Sequence, residues 1–471
     1  MRPAMLDVLR DPDLLAGYLS DASNTRGTAE ALVRPRNAEE AAEILAHCQA
    51  QGIPLTITAQ RTATTGAPVP AGGWLLSTER MNQVYGPEEV DGGVILGAHQ
   101  DALEAQGLHF PPDPTSRFEC SVGGAIAANA SGARSFRYGP TRPWIEAVEA
   151  VLPTGEIVVA SRSTPIPPHW PPLTWAEPAT KTAAGLYPAT NLLDLLIGQE
   201  GTLALITRAW LRTLPAPKGV LSFLAFFAEG PALLAFVEAA RAGATRARAT
   251  PAAPGPLHPR AIEYFDRHAL DMVRARVPDI PGEAAHALFI EVEHEGEAPL
   301  ELWYEALVAH DALADATIVA EDEPGRRRLA AVRHAVPAGV NEQVVRNGMP
   351  KVGTDFAVPD AALPAMMAAY EAITLPHITF GHIGDNHLHV NLLPTSPAAL
   401  AEARALYRQL AHQAVALGGT VSAEHGIGKI KRALLADMVG APVLAQFRAL
   451  KSVVDPAWIL GRGTLFDRAS S

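Results

Sequence analysis

The chain has 471 residues, too many for one ordinary hydrophobic core, so two or three domains are expected. Its formal net charge of −12 and the lack of a basic run argue against a nucleic-acid binder. Two cysteines, Cys48 and Cys120, are too few for a disulfide framework, which fits a reduced, cytoplasmic setting. No signal peptide is evident, and no uninterrupted apolar run has the ~18 residues of a membrane span. Peripheral contact with the inner face of a membrane stays open.

The first part of the chain predicts a βαβ-like opening followed by loops of small residues. Residues 38–51 predict an amphipathic helix that is capped by Asn37 and ends at Gly52, and 54–58 predict a short strand. Residues 122–133 are rich in glycine and alanine, which lets a ligand approach the backbone closely. The other predicted features are a loop at 59–73, a hairpin at 148–160, a proline-rich loop at 164–178, and a turn followed by a strand within 194–214.

Residues 214–217 (LPAP) mark a domain boundary, and an α+β pattern follows them. The predicted strands are 220–227, 287–293, 317–320, 354–358, 376–381 and 387–393. The predicted helices are 230–243, 261–276, 300–314, 327–346 and 398–417. The tail, 420–471, reads as a separate return segment.

Residues 381–389 (GHIGDNHLH) place three imidazoles and a carboxylate within nine residues. Such ligands suit zinc, manganese or iron. If Asp385 and Asn386 form a two-residue turn, His382 and His389 face each other about 5 Å apart at Cβ. Histidines without any ligand are the alternative, but their density around a turn favours a divalent metal.

Residues 424–426 (EHG) add a carboxylate and an imidazole about 35 residues further along the chain. Ser422 can instead cap a helix with Glu424 in its first turn, and the two interpretations are compatible. Together, residues 424–426 and the histidine segment predict a metal site with a catalytic base beside it. The glycine-rich stretches at 122–133 and 198–201 match neither a Rossmann nor a P-loop pattern, so phosphate binding and tight packing stay equally open.

A series of motifs along nearly the whole chain resembles the FAD-linked oxidases and dehydrogenases of the vanillyl-alcohol-oxidase type. The branch that it resembles holds D-lactate dehydrogenases, the flavin subunit of glycolate oxidase and D-2-hydroxyglutarate dehydrogenase. The motifs are 33–35 (VRP), 65–70 (TGAPVP), 111–114 (PPDP), 122–124 (VGG), 129–132 (NASG), 138–142 (YGPTR), 197–202 (IGQEGT), 261–263 (AIE), 381–389, 423–429 (AEHGIGK) and 455–456 (DP).

The resemblance implies an α+β fold with a two-subdomain PCMH-type FAD-binding domain over 1–215. An α+β, ferredoxin-like cap domain follows over 216–417. The last implied part is a segment at 418–471 that packs back on the FAD-binding domain. FAD is expected to be non-covalent, since no histidine lies within 58–70. The residues that the resemblance marks as FAD contacts are Thr58, Ala59, Gln60, Arg61, Thr62, Thr65, Gly66, Pro112, Asp113, Thr115, Ser116, Gly123, Gly124, Asn129, Ser131, Gly132 and Ile206.

The same resemblance implies roles for six further residues. The metal ligands would be His382, His389 and Glu424, with zinc expected and manganese or iron as alternatives. The catalytic base would be His425. The cations that bind the substrate would be Arg333 and Lys351. The implied reaction is the oxidation of a D-lactate-like D-2-hydroxy acid to the 2-oxo acid, with hydride transfer to flavin N5.

Two departures from the family pattern stand out. Residues 58–62 (TAQRT) replace the family's Arg-Gly-Gly-Gly-Thr, whose amides face the FAD pyrophosphate, and Arg61 can offset the phosphate charge. His387 stands where the family often has asparagine, and it is either an extra ligand or only a neighbour of the metal.

Three other functions stay open from the sequence. They are a metal-free flavin oxidase of another alcohol, a non-catalytic FAD-binding subunit of a glycolate-oxidase-like complex, and a zinc hydrolase without flavin. The expected partners are a small 2-hydroxy acid and a separate electron acceptor, namely a quinone, a cytochrome or an electron-transfer flavoprotein, because the chain has no iron–sulfur cysteine cluster. A homodimer is not excluded.

Overall fold

The structure is a computed structural model that describes residues 7–244, 257–274 and 277–468. The elements up to residue 215 are β1 (Val8–Leu9), α1 (Pro12–Ala16), β2 (Ala31–Val33), α2 (Ala38–Gln51), β3 (Leu55–Thr58), β4 (Trp74–Ser77), β5 (Glu89–Asp91), α3 (Leu96–Glu104), β6 (Leu108–His109), α4 (Val122–Ala128), α5 (Ser135–Tyr138), β7 (Ile145–Val151), β8 (Ile157–Ser161), α6 (Leu192–Leu196), β9 (Leu205–Leu211) and β10 (Leu214–Pro215).

The first sheet has the strand order β1-β2-β4-β3, with β2 and β3 parallel to β4. Helix α2 packs on it through Ala41, Leu45 and Cys48. The predicted bounds of this helix are confirmed, because Asn37 accepts a hydrogen bond from the Glu40 amide and Gly52 ends the helix at φ 64°.

The second sheet has the antiparallel order β5-β9-β7-β8. Strands β7 and β8 form the hairpin that was predicted for 148–160. Helix α4, next to this second sheet, is built from the small residues at 122–128. It is capped by Ser121, whose side chain accepts a hydrogen bond from the Gly124 amide. The small side chains leave space between α4 and the first sheet, which the candidate site uses.

The remaining elements are β11 (Gly219–Phe227), α7 (Gly230–Gly243), β12 (Pro259–Asp266), α8 (Arg267–Val273), β13 (His286–His294), α9 (Leu300–Ala309), β14 (Ile318–Ala320), α10 (Glu323–Asn347), β15 (Val352–Gly353), β16 (Phe356–Ala357), α11 (Leu363–Glu371), β17 (His377–His382), β18 (His387–Leu392), α12 (Pro397–Ala416) and α13 (Arg432–Val454). Their strands form one large antiparallel sheet in the order β14-β11-β13-β12-β17-β18-β15, with β16 also paired to β18.

The predicted helix at 261–276 is wrong over its first part. Residues 259–266 form β12, a central strand that is buried along its whole length between β13 and β17. Helix α8 begins only after Asp266, whose side chain accepts a hydrogen bond from the Ala269 amide. Pairing on both edges of the strand overrides the local helical pattern.

The end of the chain returns to the first sheet. The Leu55 amide donates to the Ile459 carbonyl at 2.8 Å, and the Gly461 amide donates to the Leu55 carbonyl at 3.1 Å. These bonds cover the outer edge of β3. Within the described residues, α13 alone is long and apolar enough by composition for a membrane span, but it is bent at Gly440 and buries Phe447 in the core.

Candidate active site

The histidine hairpin is formed by β17 and β18, and its register places His382 opposite His387 and Phe380 opposite His389. The predicted pairing of His382 with His389 is therefore wrong. The chain turns through a 3-10 turn at Ile383–Asp385 and then Asn386 at φ 56°, instead of a two-residue turn. A register change of two residues keeps the same side chains on one face. The ring centroids of His382 and His389 still lie 5.5 Å apart.

A group of four side chains could hold a metal ion at this hairpin. The ligand atoms of His382, His387, His389 and Glu424 all lie within 4.8 Å of one another. This group contains the three ligands implied by the resemblance and adds His387, which is fully buried. Burial lowers the pKa of His387 to about 4 and the pKa of His389 well below its usual value. Both rings are therefore neutral at physiological pH, as metal ligation requires.

His382 lies between two carboxylates. Its Nδ1 is 2.5 Å from Oε1 of Glu263, and its Nε2 is 3.1 Å from Oε2 of Glu424. Burial opposes the charged ring, but the two carboxylates outweigh it and raise the pKa of His382 to about 9. A carboxylate on the far nitrogen of a histidine orients the ring for ligation, so Glu263 is a residue of the site that pattern reasoning left without a role.

The two predicted substrate-binding cations reach the group from different elements. Arg333 of α10 places its Nε 3.0 Å from Oε2 of Glu263. Lys351 donates from Nζ to Oδ1 of Asn391 at 2.9 Å, and Asn391 follows His389 by two residues on β18. Each cation is therefore one side chain away from a histidine of the group.

A buried lysine that sequence reasoning missed also contacts the group. Nζ of Lys181 lies 3.3 Å from Oε2 of Glu424 and 3.7 Å from Oδ2 of Asp385. Its side chain is 2% exposed. Lys181 comes from the long loop before α6, and no local pattern marks it, because only tertiary packing brings that loop to the hairpin.

Asp355 holds the segment that carries His425. Its carboxylate accepts from the backbone amides of Glu424 and His425 at 3.2 and 3.1 Å, and from Nζ of Lys431 at 2.5 Å. Its Oδ2 also lies 3.4 Å from Nδ1 of His425. Burial disfavours the charged form, but His425 and Lys431 outweigh it and hold the pKa of Asp355 well below its usual range.

The predicted cap at Ser422 is wrong, since α13 begins only at residue 432.

A cavity of about 530 Å³ lies between α4, the first sheet and the 59–68 loop. Glu424 and His425 belong to its wall, so the histidine group and the cavity share a border. The predicted FAD contacts that line it are Ala59, Gln60, Arg61, Thr62, Thr65, Thr115, Ser116, Gly123, Gly124, Ser131 and Ile206. Glu200 also lines it and is not among the predicted FAD contacts.

Six of the predicted FAD contacts are not part of this cavity wall; they are Thr58, Gly66, Pro112, Asp113, Asn129 and Gly132. Two of them have clear supporting roles. Asn129 ends α4 at φ 48°, and its side chain accepts from the Arg142 amide. Asp113 accepts from the Arg134 amide at 3.1 Å.

The cavity and the histidine group fit a flavin and a divalent metal, respectively. Ser131 and Thr78 line the cavity, and the hydroxyl of each is buried without a hydrogen-bond partner among the described residues. Unpaired buried hydroxyls next to a cavity suit a ligand with many polar atoms. Three imidazoles and a carboxylate suit zinc, manganese or iron.

Comparison with known proteins identifies the family. The family model "FAD binding domain" matches residues 29–161, and "FAD linked oxidases, C-terminal domain" matches 231–465. A D-2-hydroxyglutarate dehydrogenase of Xanthomonas citri pv. viticola is 30% identical over 460 residues, which cover 93% of this chain and 89% of the relative. The chain belongs to the FAD-linked oxidases. A D-lactate dehydrogenase of Archaeoglobus fulgidus is also 30% identical, over 92% of this chain and 90% of the relative.

The fold of this FAD-linked oxidase also matches a solved structure. An alkyldihydroxyacetonephosphate synthase aligns with a TM-score of 0.69 at 15% identity, over 96% of this chain and 81% of the other. The resemblance and the α+β fold with a PCMH-type FAD-binding domain are therefore confirmed. The FAD-linked oxidase is a flavoenzyme, and this finding weighs against the alternative of a zinc hydrolase without flavin.

Proposed function

We propose that this FAD-linked oxidase oxidises a D-2-hydroxy acid, of the D-lactate or D-2-hydroxyglutarate type, to the corresponding 2-oxo acid. One observation carries the proposal: Glu424 and His425 line the FAD cavity, and Glu424 is also a member of the histidine group. A proton acceptor and a cation site thus border the flavin together. The names of the relatives, D-2-hydroxyglutarate dehydrogenase and D-lactate dehydrogenase, support the substrate class.

His382, His387, His389 and Glu424 would hold the metal, with zinc expected and manganese or iron as alternatives. When bound, FAD supplies a two-electron acceptor for hydride and the metal supplies a Lewis acid for the hydroxyl oxygen. Glu263 fixes His382 from the other side of its ring, so this ligand is oriented before any metal arrives.

Arg333 binds the substrate carboxylate, because a guanidinium matches the geometry of a carboxylate. Its Nε is held by Glu263, which leaves the two terminal nitrogens for the substrate. Lys351 supplies a second cation beside β18, for the carboxylate or for a polar group at the far end of the acid.

His425 accepts the proton of the substrate hydroxyl. Its Nδ1 faces the Asp355 carboxylate, which favours the proton on Nδ1 and leaves Nε2 as the acceptor. The ring stacks on His389 with centroids 5.4 Å apart, so the base lies directly beside the metal group. About a third of the side chain is exposed, on the cavity side where a substrate can reach it.

The test is anaerobic mixing of the FAD-loaded protein with a panel of D- and L-2-hydroxy acids. We expect the flavin absorbance to bleach with D-acids and not with their L-enantiomers. A flavin that no acid of the panel bleaches would overturn the proposal and favour a non-catalytic FAD-binding subunit. Full bleaching by D-acids in metal-free protein would instead favour a metal-free flavin oxidase. Reoxidation of the bleached enzyme by a quinone, a cytochrome or an electron-transfer flavoprotein then identifies the acceptor.

A further inference from the structure

The charge of the FAD cavity wall is unbalanced. Among the described residues that line it, Arg61 is the only lysine or arginine, whereas Glu119, Glu200 and Glu424 are carboxylates. FAD carries its negative charge on the two phosphates of its pyrophosphate. A buried dianion next to carboxylates needs a cation or a set of amide donors. The cavity wall offers one such cation.

Arg61 is held at the cavity by its backbone and by stacking. Its φ of 59° lies in the left-handed region, where glycine would be free of strain. The guanidinium lies 4.7 Å from the ring centroid of Tyr18, and Nη1 donates to the Ala59 carbonyl at 3.1 Å. Tyr18 is itself fixed, because its hydroxyl donates to Oε2 of Glu79 at 2.7 Å.

The charge of Arg61 has no acidic partner in the parts of the chain that the structure describes. None of their ion pairs within 4.0 Å includes Arg61, and Glu79, the carboxylate that holds Tyr18, pairs with Arg34 at 3.1 Å. The residue therefore keeps a strained backbone and an unpaired charge at the wall of a ligand cavity. Neither feature stabilises the protein by itself.

We propose that Arg61 binds the pyrophosphate of FAD, with Tyr18 as the platform that keeps its guanidinium in place. A guanidinium donates to phosphate oxygens in pairs, which replaces the amide contacts that a glycine loop would offer. The inference rests on FAD, the cofactor of the proposed function, and not on its substrate. A failure of the substrate test therefore leaves it standing.

The test measures binding of FAD and of riboflavin, which has no phosphate, to the apoprotein by flavin fluorescence. We expect Arg61→Gln to weaken FAD binding by roughly 10- to 100-fold, the range for a charge-assisted hydrogen bond. Riboflavin binding should change less than about twofold. The loss of FAD affinity on raising the salt concentration should be smaller in the variant than in the wild type.

Two further variants make the result decisive. Arg117→Gln is the matched control, because Arg117 also stacks on an aromatic ring, 4.3 Å from the centroid of Phe118, but does not line the cavity. It should bind FAD like the wild type. Arg61→Gly relieves the backbone strain, so it should fold at least as well and still bind FAD more weakly. Wild-type FAD affinity in Arg61→Gln, or an equal loss for riboflavin, would overturn the proposal.

Discussion

Nζ of Lys181 lies 3.3 Å from Oε2 of Glu424, and both side chains are buried. The lysine comes from the N-terminal part of the chain and the glutamate from its last part. A cation from one region therefore balances a carboxylate from another at the centre of the histidine group. Burial disfavours the charged form of Glu424, but Lys181 and His382 outweigh it and hold its pKa well below the usual value.

Removal of the Lys181 ammonium group should destabilise the metal-free protein and increase the stabilisation that a bound metal ion provides. We expect Lys181→Met to lower the free energy of unfolding of the metal-free protein by about 3–5 kcal/mol, because it removes one of the two cations, Lys181 and His382, that offset the buried carboxylate of Glu424. A divalent ion should then raise the melting temperature of the variant more than that of the wild type. Urea and thermal unfolding with and without added Zn²⁺ measure both effects.

Lys218→Met is the control for this variant. Lys218 pairs with Glu295 at 3.1 Å, but both side chains are more than 70% exposed. It should cost less than about 1 kcal/mol. Equal stabilisation of Lys181→Met and the wild type by metal would contradict the role that we give to Lys181.

Loss of the base should stop the chemistry without loss of the flavin. We expect His425→Ala to slow anaerobic flavin reduction by roughly 100-fold or more, because the hydroxyl proton then has no acceptor at the site. The FAD content of the purified variant should match the wild type, since His425 is one of many wall residues. Stopped-flow absorbance measures the rate, and reduction at the wild-type rate would remove His425 from the mechanism.

His387 should count as a metal ligand and not only as a neighbour. We expect His387→Ala to lower the metal affinity by at least about 10-fold, because the group loses one of its four donors. Metal content after dialysis against a weak chelator measures this. A second group, Asp266, His268 and His377, of which His268 is exposed, could also retain metal, so the measurement is repeated in the His268→Ala background. Unchanged metal content in His387→Ala, with or without His268, would contradict ligation by His387.

Glu200 should make stability depend on pH. Burial raises its pKa from 4.5 to about 7, so the folded protein binds more protons than the unfolded chain within that window. The free energy of unfolding should therefore fall as the pH rises from about 4.5 to 7 and change little from this group above that. Glu200→Gln removes this contribution, and it weakens the acceptors for the Ile427 and Gly428 amides by about 1–3 kcal/mol.

The measurement for Glu200 compares urea unfolding of the two metal-free, flavin-free proteins at pH 5 and pH 8. The stability gap between Glu200→Gln and the wild type should be smaller at pH 8, where the buried carboxylate is ionised in the wild type. Two curves that stay parallel across this range would show that Glu200 does not titrate there.

The sequence predicted the elements whose signals are local. The α2 helix follows from Asn37, its apolar spacing and Gly52, and the histidine group follows from the density of imidazoles at 381–389. Prediction failed where distant residues decide the outcome. The local pattern predicts a helix where strand β12 forms, because the strand depends on pairing with β13 and β17, which lie in other segments of the chain. No local sequence pattern marks Lys181, since its place in the site depends on its contacts with Glu424 and Asp385, which are distant in the sequence.

The hydrogen bonds between Leu55 and residues 459–461 have a consequence for the folding of the nascent chain during synthesis. A ribosome releases the strands of the first sheet long before it makes the segment that covers them. Until then, the outer edge of β3 in the nascent chain is open to pairing with other polypeptides. Glu424 and His425 also follow these strands in the chain, so the wall of the flavin cavity is complete only after their segment has been made. FAD can therefore meet the complete cavity only after residues 424 and 425 have been synthesised.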